Sequence, residues 1–70
     1  MKNYALIPKT KTSFQILEGT TIKATISVHG EIINTNTDGT TGIVLVKNGT
    51  QRKQYTYNLI TRTQTGMVSI

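Results

Sequence analysis

Between residues 21 and 34, apolar and polar side chains alternate with a period of two. Ile22, Ala24, Ile26, Val28 and Ile32 share one parity, while Thr21, Lys23, Thr25, Ser27, His29 and Glu31 share the other. Successive side chains of a strand point to opposite faces, so this run predicts a strand with one face buried and one in water. The run is long for a single strand, and Gly30 falls on its inward parity. A glycine inside a strand marks a bulge or a sharp bend. A strand coiled at Gly30 is how a small barrel turns a corner, which favours a barrel over a flat sheet. The competing arrangement is a tight hairpin at His29-Gly30, which would set Ile32 opposite Ser27 and mix the faces.

A second unit reads as a hairpin. Gly42-Ile43-Val44-Leu45-Val46-Lys47 is an apolar run, and Asn48-Gly49 is the preferred pair for a two-residue type I′ turn. The return strand runs from Thr50 to Leu59 or Ile60. With that loop, Lys53 lies across from Val44 and Arg52 from Leu45. Residues 34–41 are polar, contain Asp38-Gly39 and predict a mobile loop or a longer hairpin turn.

The ends are shorter. Asn3 to Ile7 predicts an opening strand stopped by Pro8, with Lys9-Thr10-Lys11-Thr12 as a basic loop. Phe14-Gln15-Ile16 predicts a strand closed by Glu18-Gly19, and residues 66–70 a short apolar one. Arg62-Thr63-Gln64-Thr65 is either a turn or the continuation of the preceding strand. No window carries the three-and-four apolar repeat of a helix, and no internal repeat or linker divides the chain. Residues 1–70 are therefore expected to form one domain. The expected architecture is all-β: a five- or six-stranded antiparallel barrel, OB- or SH3-like, or a compact sandwich.

Composition strengthens the strand reading. Of the 70 residues, 14 are Thr, nine Ile and four Val, whose branched Cβ suits a pleated surface. Alanine and glutamate, both strong helix formers, occur twice each. A chain this short buries only about 60% of its unfolded surface, and small domains compensate with disulfides, metals or oligomerisation. Cysteine is absent, which removes disulfides and thiolate metal sites. One histidine with Glu18, Glu31 and Asp38 does not compose a zinc site, so no metal or cofactor is expected. A homo-oligomer remains as the expected compensation. The apolar stretch from Tyr4 to Ile7 is too short for a signal-peptide core or a membrane span, so a soluble, cytoplasmic protein with no membrane partner is expected. Asn48-Gly49-Thr50 matches a glycosylation acceptor but reads here as a turn.

Charge narrows the function. Eight basic against three acidic residues give a net charge of +5 and a pI near 9.9, which favours polyanions as partners. Catalysis needs a positioned pair of titratable groups, or a nucleophile with its base, and this inventory supplies neither. His29 and Glu31 share a polar strand face, an ordinary surface arrangement. The six glycines are scattered singly and form no phosphate-binding loop. A non-enzyme with no indicated small-molecule substrate is the expectation.

The stretch 50–58 carries the candidate site. Gln51, Lys53, Tyr55 and Tyr57 share one strand face, with Arg52, Gln54 and Thr56 on the other. Lys53 in line with two tyrosines could hold a phosphate while the rings stack on unpaired bases. Alternatively, Tyr55 and Tyr57 cover the core and Lys53 snorkels past them to water. Lys9 and Lys11 form a second basic group, while Lys2, Lys23, Lys47 and Arg62 look dispersed. The expected function is non-catalytic binding of RNA or DNA, a regulatory role included, through Arg52, Lys53, Tyr55, Tyr57, Lys9 and Lys11. The alternative is a protein-interaction module or small inhibitor acting as a homo-oligomer through exposed strand edges.

Overall fold

The computed structural model describes residues 3–70, which form seven antiparallel strands and no helix. The strands are β1 (Tyr4–Thr10), β2 (Ser13–Glu18), β3 (Thr21–Ser27), β4 (Glu31–Asp38), β5 (Thr41–Asn48), β6 (Gln51–Asn58) and β7 (Thr63–Ser69). The first three make one sheet in the order β1-β2-β3, and the last four make a second in the order β4-β5-β6-β7.

The two sheets do not close into the expected barrel, and the reason lies in residues 28–30. The alternating run is two strands in different sheets, with neither a continuous coil nor a hairpin between them. The Val28 N–H donates to the Thr12 carbonyl and the Ile32 N–H to the Lys11 carbonyl, each at 2.7 Å. Both ends of the crossing are thus tied to the turn between β1 and β2. Gly30 lies between them at φ +133°, where a Cβ would sit 2.7 Å from the Lys47 carbonyl oxygen. Only glycine combines that backbone angle with so close an approach.

Three hairpins share one turn. Gly19-Thr20, Gly39-Thr40 and Gly49-Thr50 each link strands directly, with glycine φ of +61°, +62° and +64° and the threonine φ negative. Positive φ at the first central residue alone is the type II′ pattern. The polar run 34–41 is therefore strand up to Asp38 followed by a turn, and the expected Asn48-Gly49 loop moves one residue along. β1 runs through Pro8, because an outer strand needs no ladder donor on its open side.

Bulges decide which side chains face inward. The register shifts between Ile16 and Leu17 against β3, so Ala24 and Ile26 face the core while Ile22, opposite Leu17, is 55% exposed. A second shift after Ile32 leaves Ile33 exposed and turns Asn34 to the outer face beside Leu45. Each extra residue reverses the alternation that follows it. Strict parity in the sequence is thus broken twice in space.

One core joins the sheets. Leu6, Phe14 and Ile16 of the first pack with Val44, Val46 and Tyr57 of the second and with Leu59 of the turn after β6. Phe14 and Tyr57 meet edge-to-face with ring centroids 5.1 Å apart. Burying each such side chain contributes about 1.5–3 kcal/mol, so these seven supply most of the apolar driving force. Gly42 sits beneath Leu6 and Leu59, where a Cβ would lie 2.8 Å from a methyl of each.

Candidate nucleic-acid interface

The Gly49-Thr50 turn sets the register of β5 against β6. Lys53 is opposite Val46, and Arg52 is opposite Lys47. This is a two-residue displacement from an Asn48-Gly49 loop, so faces are preserved while partners change. Lys47 and Arg52 are both exposed, and like charges directly opposite on neighbouring strands are unfavourable. Glu31 faces Lys47 from β4, yet the ion pair found among the described residues joins Lys23 to Glu18 at 3.8 Å. Two cations therefore stand side by side on β5 and β6, with Glu31 the carboxylate on the far side of Lys47.

The next row brings in two more. Ile32 pairs with Val46 and Val46 with Lys53, and the Ile32 N–H is bound to the Lys11 carbonyl. Lys11 and Lys53 thus flank one row, about 15 Å apart at strand spacings near 4.8 Å, with Lys47 and Arg52 in the adjoining row. Lys9, the extra residue of a bulge in β1, is exposed two residues before Lys11. Lys2 lies outside the described residues. Arg62 stands in the turn between β6 and β7, at the opposite end of the sheet.

The tyrosines lie where the core needs them. Lys53, Tyr55 and Tyr57 do share a face, and it is the face turned toward the first sheet. Tyr57 is 5% exposed and closed against Phe14, so its ring offers no surface on which a base could stack. Burial pushes its hydroxyl pKa up, helped by neighbouring Tyr55. Tyr55 and Lys53 are half-buried. The residue that sequence reasoning left out is Lys47, and the signal that finds it is the recurrence of Gly-Thr after Glu18, Asp38 and Asn48.

The outer face of the second sheet continues from the cations into neutral ground. Asn34, Thr35, Asn36, Ile43, Leu45 and Gln54 line a shallow groove of about 220 Å³. Its floor is aliphatic and its rim is amide. No group of His, Asp or Glu among the described residues is placed to hold a metal ion, and no helix among them is long and apolar enough to cross a membrane. No family model, curated protein or solved structure matches this chain.

Proposed function

We propose that this chain is a non-catalytic nucleic-acid-binding domain that engages the phosphate backbone with one end of its second sheet. The observation carrying the reading is the exposed Lys47–Arg52 cross-strand pair, two cations against the single carboxylate of Glu31 in the same row. Such a pair costs folding stability and gains from a bound anion. Lys11 and Lys53 extend the positive field along the adjoining row, and Lys9 stands two residues from Lys11. Lys53 and Tyr55 lie on the opposite face from Lys47 and Arg52, turned toward the first sheet, and Tyr57 serves the core. Binding by this arrangement depends chiefly on charge, with the amide-rimmed groove beyond the cations available to neutral parts of the ligand.

Anisotropy of a labelled single-stranded oligonucleotide, measured as a function of salt, tests this directly. The logarithm of affinity should fall linearly with the logarithm of salt concentration. Replacing Lys47 and Arg52 together by glutamine should lower that slope by about 0.7 for each phosphate no longer neutralised. Arg62→Gln, at the far end, should change it little. An affinity that stays flat from low to physiological salt overturns the reading.

A further inference from the structure

Four strands form the margins of the two sheets, and three of them are blunted against further pairing. β1 carries Pro8 and the bulged Lys9 and lies beside β4. β3 carries a bulge with Lys23 at the extra position. On β4, the N–H groups of Thr35 and Thr37 donate to the carboxamide oxygens of Asn34 and Asn36, at 3.0 and 2.9 Å. Prolines, bulges, charges and self-satisfied donors all discourage an incoming strand.

β7 is protected only along its first half, where a bulge at Thr65 turns its hydroxyl onto the Thr56 carbonyl. Beyond that bulge, residues 66–70 are regular and contain neither a charged side chain nor proline. Met67, Val68 and Ile70 are 48, 59 and 69% exposed. The Ile70 N–H donates to the Arg52 carbonyl at 2.8 Å. Alternation then directs the N–H groups of Met67 and Ser69 away from β6, toward the open edge.

We infer that this edge pairs antiparallel with the same edge of a second copy, joining two four-stranded sheets into one of eight strands. Val68 lies on the twofold axis, with Met67 opposite Ser69 of the second copy. This register uses every outward-facing donor and acceptor of residues 67–69 on both chains, and a twofold contact is complementary to itself. Each chain carries +5, which opposes self-association, and residues 66–70 bring no charged side chain into the contact. The nearest cations across the contact, Arg62 of one copy and Arg52 of the other, would stand roughly 14 Å apart at ordinary strand spacing and rise, beyond the screening length of physiological salt.

Sedimentation velocity of the full chain across a wide concentration range is the test. The expected result is a species of twice the 7.7 kDa chain mass. Met67→Pro, which removes an outward donor, and Val68→Lys, which sets two ammonium groups opposite each other on the axis, should each raise the dissociation constant about tenfold or more. Thr25→Lys, on β3, should leave it unchanged. Hydrogen exchange on the unmodified protein gives an independent reading: Met67 and Ser69 amides should be protected only at concentrations that favour the dimer, Val68 and Ile70 amides at all concentrations. A monomer at every concentration, a dimer that survives both β7 substitutions, or exchange at Met67 and Ser69 that ignores concentration overturns the inference.

Discussion

Single atoms set several tolerances of this fold. A methyl group at Gly42 would press on Leu6 and Leu59 at once, and both are buried. Gly42→Ala should therefore destabilise by about 1–3 kcal/mol in urea unfolding, and adding Leu59→Val should recover part of that loss. Arg62 is the opposite case. It holds φ +61° after a turn in which the Asn58 side chain accepts the N–H groups of Ile60 and Thr61. A non-glycine residue there costs about 1–2 kcal/mol, and glycine's greater freedom when unfolded offsets part of the relief. Arg62→Gly should raise stability by about 0.5–1 kcal/mol. Tyr57 predicts a pH effect. Its folded-state pKa lies above the ordinary 10.0, so the folded chain holds the proton more tightly than the unfolded chain. The stabilisation is complete below about pH 10 and is lost as pH rises through the folded-state value. Comparing urea midpoints at neutral and alkaline pH should show this decline in the native protein and a shallower one in Tyr57→Phe.

Turns and bulges control the elements, and they explain which parts of the fold the sequence revealed. The strands themselves were legible: β-branched composition and alternation identify residues 21–34 and 42–58 as extended chain. Their partners were not. Asn48-Gly49 is a strong turn signal, but Gly49-Thr50 forms the same length of loop one residue later. The choice depends on which register buries Val44, Val46, Tyr57 and Leu59 against Phe14, a long-range condition. Gly49→Ala, forced to positive φ with open space around its Cβ, should cost about 1 kcal/mol. Gly30→Ala should cost considerably more, because strain there adds to a clash with the Lys47 backbone. Equal losses at the two glycines would show that the crossing at residues 28–30 is not packed as described.

Taken whole, the molecule sets its cations one strand in from its open edge, with Lys53 opposite Ser69 and the Arg52 carbonyl accepting from the Ile70 N–H. Lys11, Lys47, Arg52 and Lys53 gather at one end through pairing between strands distant in sequence, and the uncharged half of β7 is left on the margin. The sequence by itself determined that the chain is all-β and that its core is small. Those properties follow from residue type and period, which are local. Only the tertiary structure decided that the strands divide into two sheets, that Tyr57 belongs to the core, and that Lys47 stands beside Arg52. Register and bulges fix these outcomes, and both are set by contacts between segments that the sequence keeps apart.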